Sequence, residues 1–72
     1  MEKIKIKSEY ITLGQFLKFV GIIDCGSYAK QFLLENKVFI NNEQDQRRGR
    51  KIYPGDIVAI GSNRYEVDKV VS

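Results

Sequence analysis

The hydrophobic period of this chain changes from helical to strand-like at Lys37, and that change limits the folds open to it. From Leu13 to Asn36 apolar residues recur at helical spacing, and from Val38 onward they come in short strand-like runs. Leu13, Phe16, Leu17 and Val20 fall at i, i+3, i+4 and i+7, the single stripe of an amphipathic helix. Thr12 and Gln15 before that stripe form the S/T-x-x-E/Q capping box, and Gly21 after it suits a left-handed C-cap, so the spacing predicts a helix of about three turns. Gln15 and Lys18 fall off the stripe and face solvent; Phe19 also falls off it, and either packs on another element or is exposed. After the connection "IIDCGS", in which Asp24, Cys25 and Ser27 are all possible N-caps with Asp24 and Ser27 the better ones, Ala29, Phe32, Leu33 and Asn36 mark a second helix that Asn36 closes in αL. Two helices joined by so tight a link pack as an angled pair.

The flanks read as sheet. "KIKIK" alternates strictly, with Ile4 and Ile6 inward and lysines outward, as suits a short strand whose charges discourage edge-to-edge pairing. "VFI" is a β-type triplet, "NNEQDQRRGR" is polar with turn formers, "DIVAI" is a strand after the Pro54-Gly55 turn, and "RYEVDKVV" is a last strand alternating Tyr65, Val67 and then Val70. Tyr53 and Tyr65 are read as sheet-packing residues. Asp56 after Pro-Gly is read as a turn residue capping backbone amides. The fold class is therefore α+β: a helix pair packed on a small, mainly antiparallel sheet, one domain over residues 1–72.

Composition removes most other classes. A chain of 72 residues has one small core, and its function lies on the surface. It has no histidine and one cysteine, Cys25, which rules out an internal disulfide or a structural zinc site built on Cys and His and leaves Cys25 as an apolar filler or helix-start residue. No nucleotide-binding or nucleophile-elbow motif is present, and the nine acids are scattered, so neither catalysis nor a cofactor is expected. With no apolar run long enough to span a membrane and no signal-peptide pattern, a cytoplasmic protein is expected.

The charge is localised. "RRGRK", Arg47 to Lys51, carries four of the twelve cationic residues; the remaining eight against nine acids leave a net −1, so the entire excess of +3 sits in that stretch. Such a footprint suits a surface that meets phosphate. Three of the four cations are arginines, whose planar donor forks grip phosphate bidentately. Gly49 lets the loop turn sharply or approach a backbone closely.

The order of helix, tight link, helix, "VFIN", basic loop and "YPGDIV" resembles the RNA-binding domain first seen in ribosomal protein S-four of the small subunit, the αL motif. Ala29 and Leu33 fit its second-helix pattern, Val38, Ile40 and Asn41 its Val-x-Val-Asn, and Gly55, Asp56 and Val58 its Gly-Asp-x-Ile. The likeness spans about residues 10 to 60. It is greatest to the small stand-alone YaaA-like proteins of bacterial type, through Gly26, Ala29-Lys30, Phe32-Leu33 and "RRGRK". Cys25-Gly26 stands where the family commonly has Ser-Arg, which removes an RNA-contacting arginine. Asn36 and Asn42 replace glycines, mild changes because Asn tolerates positive φ.

The resemblance implies a non-catalytic module that docks structured RNA, ribosomal or other, through the helix-pair face and the basic loop. Carried over by position, the RNA-binding residues are Lys30, Arg47, Arg48, Arg50 and Lys51, with Lys18 and Lys37 as weaker additions. Gly26 would offer bare amides to a phosphate. Tyr28 could stack on an unpaired base or be a half-buried edge aromatic. The expected partner is RNA, the ribosome or a nucleic-acid-associated protein, met by a monomer. The alternatives are a protein-interaction module and a DNA-associated accessory module, both using the same loop.

Overall fold

The period change at Lys37 is where the chain passes from helix to sheet. The computed structural model describes residues 1–70. Strand β1 (Glu2–Ile6) is followed by the two-residue β2 (Ile11–Thr12), helix α1 (Leu13–Phe19), a 3-10 turn (Gly26–Tyr28), helix α2 (Ala29–Glu35), β3 (Val38–Ile40), β4 (Glu43–Gln44), β5 (Lys51–Ile52), β6 (Ile57–Ile60) and β7 (Asn63–Lys69). Five strands form one sheet in the order β1-β7-β6-β3-β4; β2 and β5 pair separately. All pairs are antiparallel except β1 with β7, where Ile4 lies opposite Val67. The expected α+β architecture, two helices on a mainly antiparallel sheet, is what the chain adopts.

The core follows the sequence pattern closely. Ile4 and Ile6 of β1 point inward while Lys3 and Lys5 point out, and β1 is an edge strand. Leu13, Phe16 and Leu17 are fully buried beneath the sheet, and the Phe16 ring meets Tyr65 of β7 edge-on with centroids 5.5 Å apart. Ala29 and Leu33 of α2, Val38, Ile40, Ile52, Val58 and Val67 complete one cluster.

Helix α1 begins as the sequence predicts. Thr12 N–H donates to Gln15 Oε1 at 3.0 Å and Gln15 N–H donates to Thr12 Oγ1 at 3.3 Å. It ends in a Schellman turn: Gly21, at φ 81°, donates to Lys18 O, and Ile22 donates to Leu17 O. The helix is shorter than the expected three turns, because Gly21 stops it after seven residues.

Other local expectations are corrected. Neither Asp24 nor Ser27 caps the second helix. Cys25 stands at the extended position before the 3-10 turn, is exposed, and is a helix-start residue rather than a core filler. Asn36 is not in αL; its backbone is extended at φ −132°, and its side-chain Nδ2 closes α2 by donating to Phe32 O. The positive φ values fall at Asn41 and Asn42 instead, 53° and 71°, in the β3–β4 hairpin turn. Tyr65 packs in the core as expected, but Tyr53 is exposed and leans on Tyr10 with ring centroids 5.7 Å apart. β7 ends at Lys69, Val70 is exposed, and Val71, which the alternation places in the last strand, lies outside the described residues.

Candidate nucleic-acid interface

The basic loop is a built element, not a solvated arm. Its centre is Asp45, a buried acid within the polar run. One Asp45 oxygen accepts from Arg47 N–H at 2.8 Å and Arg47 Nε at 3.1 Å. The other accepts from Arg47 Nη2 and Arg50 Nη1, both at 2.8 Å. These charge-assisted contacts push the Asp45 carboxyl well below the usual carboxylate range, the Arg47 side chain being the largest cause, and they raise Arg47 in return. Arg50 N–H closes a turn onto Arg47 O at 3.1 Å, so Arg47 and Arg50 form the base of that turn while Arg48 and Gly49 form its tip.

That turn sits on the amino end of α1. Leu13 N–H donates to Arg50 O and Gly14 N–H to Arg48 O, both at 2.8 Å. Two helix amides that would otherwise lack partners are therefore satisfied by the basic loop itself. Gly14 lies at the meeting point: a Cβ there would be in van der Waals contact with Arg48 O, 3.4 Å away, and with the Ala29 side chain, 3.5 Å away. The loop, α1 and α2 meet at this one glycine. Upstream, Gln46 Nε2 lies 3.5 Å from Leu33 O, so the loop runs along α2 from Leu33 toward Ala29.

The four loop cations are therefore unlike one another. The Arg50 side chain is 28% exposed and ion-paired. Arg47 is also ion-paired, yet its side chain keeps 73% exposure, so its outer edge faces solvent. Arg48, at the tip, is exposed and has no ion-pair partner among the described residues. Lys51 is likewise exposed without an ion pair and sets its Nζ over the Tyr10 ring, 5.0 Å from the centroid.

The other predicted residues fall around this unit. Gly26 lines a shallow groove of about 300 Å³ together with Arg48, Gly49, Gly14 and Gln15, so the start of the 3-10 turn and the loop tip share one depression. Neither Gly26 nor Gly49 has a positive φ, and a Cβ on either would meet nothing within 4 Å; Gly49 stands at the tip of the sharp turn closed by Arg50 N–H on Arg47 O. Lys30 follows the buried Ala29 on α2 and is exposed. Tyr28 is 59% exposed, not half-buried. Lys18 is exposed on α1 near its carboxyl end, and Lys37 is exposed beyond the carboxyl end of α2, seven residues from Lys30.

The Pro54-Gly55-Asp56 turn works as the sequence predicts. Asp56 Oδ2 accepts from Tyr53 N–H at 2.8 Å, and Oδ1 accepts from Asn41 Nδ2 at 3.0 Å. Asn41 in turn exchanges backbone and side-chain hydrogen bonds with Ile57. The Val-x-Val-Asn and Gly-Asp matches are thus two halves of one joint. Sequence reasoning missed Asp45, Gly14 and Tyr10. Asp45 stands two and five residues before Arg47 and Arg50, a spacing that the polar, turn-forming composition around it masks.

A helix pair on a small sheet, with a basic turn seated on the first helix's amino end, defines a small α+β module with a cationic turn on its surface. The family model described as "S4 domain" matches residues 4–68, and the chain belongs to that family. It is 56% identical over 57 residues to the probable ribosome maturation protein RlbA of Bacillus subtilis (strain 168), a match covering 79% of this chain and 80% of that protein.

Proposed function

We propose that this chain is a non-catalytic RNA-docking module whose partner is structured RNA of the ribosome or of a ribosomal precursor. The family supports RNA binding, and the ribosome-maturation name of the Bacillus relative supports the ribosomal setting. The observation that carries the reading is the Asp45 clamp: it fixes the turn against α1, so that Arg48, Lys51 and the outer edge of Arg47 are presented at set positions, with Gly26 in the same groove as Arg48 and the exposed Lys30 next to that groove's lining residue Ala29. Fixed cations lose less entropy on binding than those of a floppy loop, and they read the spacing of phosphates rather than base identity. Tyr28 and Lys18 extend this surface along the helices, and Lys37 lies at its margin. The module acts in the cytoplasm as a monomer.

No helix among the described residues is long and apolar enough to cross a membrane. The test is a titration of hairpin RNA, single-stranded RNA and duplex DNA at two salt concentrations, with the parent and with Arg48→Ala/Lys51→Ala. The reading expects hairpin RNA to bind best, salt to weaken binding, and the double variant to bind less while folding normally. Equal binding by parent and folded variant overturns the site, and preference for duplex DNA overturns the partner.

A further inference from the structure

A second groove lies on the other side of α1, outside the basic loop. It is an open hollow of about 680 Å³ between the end of β1 and the outer face of the helix. Lys5, Lys7 and Lys18 rim it, Ile11 contributes to its floor, and no acidic residue lines it. None of the three lysines has an ion-pair partner among the described residues. Phe19 stands at its edge, 57% exposed, on the last helical residue before the Gly21 turn. The Schellman hydrogen bonds fix the backbone beneath that ring, so the ring is presented rather than loosely tethered. Gln15 lines both this hollow and the groove at the loop tip, so the two adjoin at that residue of α1.

We propose that this hollow seats one unpaired nucleotide of the same docked RNA, its base against the Phe19 ring and its flanking phosphates on Lys5, Lys7 and Lys18. The inference rests on the RNA-docking reading. A flat aromatic face beside unpaired cations is the pairing that single-stranded nucleotides require, since every base offers a face to stack and every phosphate a charge to neutralise. Continuity with the loop groove through Gln15 favours RNA over an acidic peptide, which would need no such connection. The position of the hollow also divides the footprint: the loop meets paired backbone, and the hollow meets a base that has left its stack.

The chain has no tryptophan, so Phe19→Trp places a single indole in the hollow. The full-length variant is titrated at low salt with a blunt hairpin RNA and with the same hairpin carrying a short single-stranded overhang. The overhang RNA is expected to quench the indole and the blunt hairpin to leave it unchanged. Phe19→Ala, at an exposed site, is expected to fold normally and to lose about tenfold in affinity for the overhang RNA only. Lys5→Ala/Lys7→Ala should show the same selectivity. Binding of both RNAs with a silent indole, or equal losses on both, overturns this inference and leaves the loop's role standing. An indole that responds to an acidic peptide and not to RNA overturns it in favour of a protein dock. Failure of the parent to bind any RNA defeats both readings together.

Discussion

Arg48 and Arg50 are two residues apart, equally charged, and do different things. Arg50 is folded back onto a buried carboxylate and gives its carbonyl to helix α1. Arg48 gives its carbonyl to the same helix but leaves its guanidinium in solvent. The same division separates Arg47, gripped along one edge by Asp45, from Lys51, which rests on Tyr10. A cluster that counts as four positive charges is, in space, a scaffold of two arginines and a presented pair of cations. Local charge density says that an anion is welcome; only the hydrogen bonds of each cation say which ones are free to meet it.

The division makes predictions that can break it. The largest concerns binding. Arg48→Ala/Lys51→Ala removes two free cations, so RNA affinity should fall by roughly tenfold per residue near 0.1 M salt, and the slope of log affinity against log salt by about 2. A filter-binding or fluorescence titration series reads both. Next is Asp45→Ala, which leaves Arg50 partly covered without its acceptor and frees the turn from α1. Hydrogen bonds to a charged group are worth about 1.5–3 kcal/mol, so a loss of about 2 kcal/mol is expected, or roughly 8–16 °C in Tm for a domain of this size. Thermal denaturation followed by circular dichroism measures it.

The same carboxylate sets a pH dependence. Its folded pKa is depressed, so its contribution is complete above the unfolded value of about 3.9 and shrinks as pH falls below that. The Tm gap between parent and Asp45→Ala should be constant from neutral pH down to about 5 and close in stronger acid. A gap that grows on acidification contradicts the assignment.

Thr12→Ala tests the seat on which the turn rests. It removes one side of the capping box while leaving the loop carbonyls on Leu13 and Gly14, so about 1 kcal/mol should be lost. The smallest expected effect is on stability at the tip. Gly26→Ala and Arg48→Ala should each change folding free energy by less than about 0.5 kcal/mol, because a Cβ at Gly26 meets open space and Arg48 has no side-chain partner among the described residues.

These outcomes also mark what the sequence could reveal. The stripes of α1, the alternation of β1 and the capping box were legible because each rests on local spacing, and burial at Ile4, Leu13, Phe16, Leu17, Ala29 and Leu33 follows it. The parallel pairing of β1 with β7, and the short β2–β5 ladder, join residues far apart in the chain and leave no local period. The second helix begins without the side-chain cap that Asp24 or Ser27 could have supplied, because a 3-10 turn starting at Gly26 takes its first residues. In the site, the position of the basic run was legible and its partition was not. Asp45 reads in sequence as one more turn former; its burial comes from the loop folding across α2 and α1, with Gln46 against Leu33 and the loop carbonyls on Leu13 and Gly14.

The most direct test sets Arg48→Ala against Arg50→Ala in one pair of assays, Tm and the salt dependence of hairpin-RNA binding. The account predicts a crossed result: Arg48→Ala keeps the parent Tm and lowers the salt slope by about 1, whereas Arg50→Ala lowers Tm and leaves the slope of the folded protein unchanged. Equal slopes for both variants, or a lower Tm for Arg48→Ala than for Arg50→Ala, would contradict the division between the arginines that build the loop and those that meet RNA.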